Sequence, residues 1–183
     1  MLWAANKPGE TAAPAYVPDP PLWWHVALAL VVALGIQATL APYLAFRGAT
    51  PSLVTLLVAW YGVRTGMLNG LAFGMIAGSS EDAIAGSTGA AWTFATGFAG
   101  LLCGRLARTW LADTKLALVP GAGLITLVRY AAFCAMLQAE GRPIPLPLLH
   151  LHVALWQSAL DVAIAFVVLR TMPWLGGSDA HRR

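Results

Sequence analysis

Six apolar stretches, parted by short breaks rich in proline, glycine or polar residues, occupy most of this chain, and that succession limits its fold more than any other feature. They cover about residues 22–40, 51–63, 67–84, 90–106, 116–137 and 153–169. A membrane crossing takes roughly 20 apolar residues for a hydrocarbon core about 30 Å thick, so six crossings consume most of the 183 residues. With 58% of residues hydrophobic and only 10% charged, the composition argues against a water-soluble domain. Backbone N–H and C=O groups find no water in lipid, which selects helices over open strands. The expected fold is all-α: a polytopic membrane bundle of about six transmembrane helices.

Three regions follow. Residues 1–21 form a Pro/Ala-rich tail with no periodicity, expected to be disordered; residues 22–170 form the six-helix transmembrane domain; residues 171–183 form a basic cytoplasmic tail. Asp19 followed by Pro20 and Pro21 starts the first helix, and Thr50 with Pro51 starts the second, because acidic or hydroxyl caps and an early proline suit the first turn. Trp23, Trp24 and His25 suit an interfacial belt. The second stretch reaches only about 20 Å as a helix, short of a full crossing. Six crossings place Lys7, Arg64, Arg105, Arg108, Lys115, Arg170, Arg182 and Arg183 on one side and Arg47 and Arg142 on the other, which puts both termini in the cytoplasm. The net charge of +3 does not point to nucleic acid, because the basic residues sit at the edges of apolar runs and form no stripe with interleaved aromatics.

Gly70, Gly74, Gly78, Asp82 and Gly86 recur every fourth residue and place small residues along one ridge of the third helix. Such ridges let backbones approach closely where lipid removes the hydrophobic drive between helices. Two uses are open: packing within the bundle, or a surface for a partner. Asp82, beside the turn Gly86-Ser87-Thr88-Gly89, either caps the following helix or meets that partner, while Glu81 is expected to reach headgroups or water. Gly97, Gly100 and Gly104 on the fourth helix, with Ala29 and Ala33 on the first, offer further close contacts.

The run from Phe73 to Gly89, Phe-Gly-Met-Ile-Ala-Gly-Ser-Ser-Glu-Asp-Ala-Ile-Ala-Gly-Ser-Thr-Gly, resembles the central segment of the rod-shape-determining MreD family, in which a glycine-spaced helix carries an aspartate followed by Gly-Ser-Thr. Gln37 late in the first span and Pro51 opening the second are also similar, so the matching positions are Gln37, Pro51, Gly74, Gly78, Asp82 and Gly86. Glu81 stands where the family usually has an apolar residue. The resemblance implies a multi-pass protein of the bacterial inner membrane with a fold like that of the S components of energy-coupling transporters. It also implies a non-enzymatic scaffold of cell-wall elongation that binds an MreC-like single-span protein and, indirectly, MreB and the RodA and penicillin-binding enzymes, with membrane lipid around it, no cofactor and no nucleic acid.

Arg129 and Asp161 lie inside the fifth and sixth spans, where each charge costs about 2.5–3.5 kcal/mol near a helix centre. Each is eight residues inward from the outer end of its stretch, about 12 Å deep, so a direct ion pair is expected, with Gln37 and Gln157 extending it. Structural glue and a substrate or proton site are both open readings of this pair.

Other chemistry is poorly supported. Cys103 and Cys134 both fall in apolar runs, and His150 and His152 have no carboxylate or thiol near them in sequence, so neither a disulfide nor a metal site is suggested. Ser87 and Thr88 suit a turn rather than a nucleophile, since no Gly-x-Ser-x-Gly elbow surrounds them. No nucleophile, base and orienting group can be assembled, so no catalytic residue is expected. The alternative to a scaffold is a substrate-binding S component, which requires a polar cavity near Trp92, Arg129 and Asp161.

Overall fold

The computed structural model describes residues 21–107, 118–142 and 147–171, and these are all-helical. Among the described residues there are six α-helices, α1 (Trp23–Thr39), α2 (Leu53–Thr65), α3 (Met67–Ala85), α4 (Ala91–Leu106), α5 (Leu118–Ala139) and α6 (Pro147–Thr171), with a 3-10 turn at Ala41–Leu44 after α1. The tails, the Asp19-Pro20 start signal, and Arg108 and Lys115, expected on the cytoplasmic side, lie outside the described residues.

Among the described residues, two helices contain stretches long and apolar enough to cross a membrane, Val119–Ala139 and His150–Thr171; Trp23–Thr39 and Leu53–Thr65 are apolar but shorter. The boundaries show where local chemistry differs from the expectation. The cap of α2 is Ser52, not Thr50: its Oγ accepts from the Thr55 backbone N–H at 3.2 Å. Proline does open α6, but at Pro147, six residues ahead of the expected start. Its missing N–H would be unpaired in a first turn anyway.

The tightest pair is α3 against α4. A Cβ on Gly70 would strike the Gly100 carbonyl, one on Gly74 the Thr96 carbonyl and the Gly97 Cα, and one on Gly78 the Trp92 carbonyl and the Thr93 Cα. The opposing glycines answer in kind, since a Cβ on Gly100 would strike the Gly70 carbonyl and one on Gly104 the Gly66 backbone. The α3 ridge is therefore filled by α4. Gly86 is no part of it: the helix has ended, and this residue is a left-handed C-cap (φ +66°) with nothing within 4 Å of an added Cβ.

Around this seam, Leu30, Ala33, Val54, Val58 and Ala77 join α1, α2 and α3. Ala91, Ala95 and Phe133 join α4 to α5, as do Ala99, Cys103 and Ile125 one level further along. Helix α6 packs mainly on α5, and α1 mainly on α2. The exterior is apolar: Leu28, Val31, Ile76, Phe94, Leu124, Leu155, Phe166 and Val167 are among many large hydrophobic side chains left exposed.

Candidate functional site: a buried polar network under a cavity

Polarity inverts towards the middle of the bundle. Among the described residues the largest fully buried side chain is Arg129 (2% exposed), and Asp161, Thr96, Thr126, Thr55 and Ser52 are buried as well. A guanidinium enclosed in this way must have its N–H groups paired, because an unpaired buried donor or charge is costly.

Helix α5 delivers Arg129 between α2, α3 and α4. Its Nε donates to Thr96 Oγ1 at 2.9 Å, and Nη1 donates to Ser52 Oγ at 3.0 Å and Thr55 Oγ1 at 2.5 Å. Nη2 is salt-bridged to Glu81. Glu81 also accepts from Thr96 Oγ1 and from Gln37 Nε2, both at 3.2 Å. The Arg129 guanidinium lies over Trp92, 4.4 Å from its ring centroid, and Trp92 also stacks on Phe133 at 4.0 Å.

This corrects two expectations. Glu81 is 8% exposed and faces the interior instead of headgroups or water. The reason is helix geometry: at about 100° per residue, Glu81 lies on the face of Gly74, Ala77 and Gly78. The direct Arg129–Asp161 pair is replaced by a relay. Asp161 accepts from the Ser52 backbone N–H and from Thr126 Oγ1, each at 2.7 Å, and Ser52 Oγ in turn accepts from Arg129. Equal depth was not sufficient for contact, because the α2 N-terminus supplies a donor to the carboxylate and Glu81 supplies the anion to the guanidinium.

Asp82 resolves to the capping role. Its carboxylate accepts from the Trp92 N–H at 3.1 Å, the Thr93 N–H at 2.8 Å, and the Thr88 and Thr93 hydroxyls at 2.7 Å each. Four-residue steps drift by about 40° on a helix, which carries Asp82 off the body of α4 and onto its open N-terminal amides. Arg142 clamps the same turn from the far loop by donating to the Ser87 carbonyl, and pairs with Glu140 at 3.3 Å.

Against the network lies a cavity of about 280 Å³, lined by Gln37, Pro51, Ser52, Glu81, Trp92, Arg129, Tyr130 and Gln157. Tyr130 donates to Gln157 Oε1 at 2.8 Å, so Gln157 borders the network without joining the Arg129 cluster. The structure thus gathers Gln37, Pro51, Glu81 and Arg129 at one place, ties Asp161 to them through Ser52, and leaves Gly70, Gly74 and Gly78 in the helix seam. Among the described residues no group of three or more His, Cys, Asp or Glu side chains is arranged to hold a metal ion.

No family model, curated protein or solved structure matches the chain.

The hydroxyls were missed by sequence reasoning, although spacing carried a signal for each. Ser52 and Thr55 stand three apart in the first turn of α2, and Thr126 stands three before Arg129, on the same helical face. Thr96 sits one residue before Gly97, in the glycine-lined face of α4 that touches α3.

Proposed function

We propose that the chain is a non-enzymatic, multi-pass scaffold of the bacterial rod-shape and cell-wall elongation machinery, of the MreD type. On this reading it lies in the inner membrane as six spans with an S-component-like arrangement and both termini in the cytoplasm. It holds an MreC-like single-span partner and, through that partner, communicates with MreB and the RodA and penicillin-binding enzymes.

The observation that carries the reading is how the interior charges are used. Glu81 and Arg129 neutralise one another, Asp161 binds two helices together, and Asp82 caps a third. Groups committed in this way favour a shape-holding role over chemistry, and a polar interior beneath an apolar exterior favours lipid as the solvent. The resemblance over Phe73–Gly89 supplies the biological setting. The test is co-purification from detergent with the product of a neighbouring gene encoding one span and a coiled coil, together with depletion in the native rod-shaped host. Partner capture and rounded cells are expected; rods that persist after depletion reject the proposal.

The cavity favours a second reading, a substrate-binding S component. Its walls offer donors and acceptors from Gln37, Tyr130 and Gln157 with no net charge from the Glu81–Arg129 pair. That reading expects a small ligand to survive purification and to be released on denaturation in a native mass spectrum.

A further inference from the structure

Between the 3-10 turn and α2, the backbone makes a tight reversal in which Phe46 and Ala49 exchange N–H···O=C bonds at 2.9 and 3.0 Å. Its two central residues are left-handed: Arg47 at φ +51° and Gly48 at φ +82°. Such turns favour Asn, Asp or Gly at both places, and Arg47 is the one non-glycine residue with positive φ among the described residues. A strained position held by a long cation calls for a reason.

The turn aims the guanidinium at α6. Arg47 Cζ lies 4.7 Å from the Trp156 ring centroid and 5.7 Å from that of Phe46, and His152 meets Trp156 edge-on at 6.2 Å. Arg47 is exposed and makes no ion pair with a described carboxylate. Glu81 and Glu140 belong to Arg129 and Arg142, and Asp82 and Asp161 are engaged by helix donors. Trp156 lies within the apolar stretch His150–Thr171, about 9 Å along the helix from His150. Beside the cation, Leu40, Tyr43, Leu44 and Phe46 are exposed apolar side chains on the same short segment.

A free guanidinium on an aromatic platform, flanked by apolar surface, has the chemistry of a phosphate seat bordered by acyl-chain contacts. We propose that Arg47, Phe46, Trp156 and His152 form a binding site for the headgroup phosphate of an anionic phospholipid whose chains lie against Leu40, Tyr43 and Leu44. The site rests on the membrane reading but not on the scaffold or transport role. Cation–π contact holds the guanidinium in place, and the lipid phosphate supplies the anion that none of the described carboxylates provides.

The experiment uses the full chain in detergent, offered equal amounts of phosphatidylglycerol and phosphatidylcholine, with retained lipid read by native mass spectrometry. Phosphatidylglycerol should be favoured about fivefold, the worth of one basic side chain at a lipid surface. Arg47→Gly should bring retention to parity while the unfolding temperature holds or rises, because glycine accepts the left-handed φ; Arg47→Lys should keep part of the preference. Parity in the unaltered chain, or an undiminished preference in Arg47→Gly, overturns the proposal. So does displacement of the lipid by inorganic phosphate at equal concentration, which would mark a free-anion site. A chain that stays in aqueous solution without detergent instead overturns the membrane reading itself.

Discussion

Replacing Arg129 by Met and Glu81 by Gln, singly and together, tests the central claim about what holds the bundle in register. Arg129→Met leaves the Glu81 carboxylate buried with only Thr96 and Gln37 as donors. Glu81→Gln leaves a buried guanidinium whose partners are three hydroxyls, those of Ser52, Thr55 and Thr96. Stranding one member of a buried pair costs about 3–5 kcal/mol. The double replacement removes both charges, so its cost reduces to lost hydroxyl contacts at about 0.5–1.5 kcal/mol each, and Ser52 and Thr55 already bond one another at 2.7 Å. Two independent losses would sum to about 6–10 kcal/mol, whereas the double variant should lose about 2–4 kcal/mol. Reversible unfolding of the purified chain in mixed micelles, read as folded fraction against denaturing detergent, measures all four corners. Additivity within about 0.5 kcal/mol would refute the assignment of Glu81 as the partner of Arg129. A parallel cycle on Arg129 and Asp161 should show the smaller coupling, because those residues communicate through Ser52.

The remaining predictions use the same unfolding assay. Gly74→Ala should lose about 1–3 kcal/mol, since the new methyl meets the α4 backbone at Thr96 and Gly97, where no flexible side chain can yield. Gly35→Ala, with nothing within 4 Å of its Cβ inside α1, should gain about 0.5–1 kcal/mol. Asp82→Ala should lose about 2 kcal/mol, the upper end for a helix cap, because two backbone amides and two hydroxyls lose their acceptor; Asp82→Asn should recover part of it. If Asp82→Ala folds as well as the unaltered chain yet no longer captures a partner, the aspartate is an interface residue and the cap assignment is wrong.

Helix existence was legible in the sequence because the apolar stretches are parted by prolines, glycines or polar residues, and the glycine ridge was legible because its four-residue step repeats. The use of the ridge was not. Gly70, Gly74 and Gly78 allow an inner as well as an outer face until Gly97, Gly100 and Gly104 are seen lying against them. Asp161 and Arg129 stood out because a charge in an apolar run is conspicuous, but depth along antiparallel helices fixes only one coordinate, and the rotation of α5 and α6 decides the partner. Glu81 was misplaced because it follows two serines and precedes an aspartate, a context that resembles a water-facing helix end. Its seven-residue separation from Gly74 placed it on the inner face all the same.

The polar network also explains how one packing is selected in a bundle of such small residues. Contacts among glycine and alanine backbones are close but nearly alike at neighbouring registers, since a slide of one turn brings another small residue opposite. The Arg129 cluster tolerates no such slide. Its guanidinium reaches the start of α2, the end of α3 and the middle of α4 from a single position on α5, and Ser52 extends the same constraint to α6 through Asp161. Moving any of these five helices by one turn, about 5.4 Å, would leave a buried charge or hydroxyl without its partner. Register is therefore fixed by a few directional bonds at one level, while the glycine seam supplies the contact area. That division leaves the apolar exterior unconstrained by the fold's internal needs and available to whatever lipid or helix lies against it.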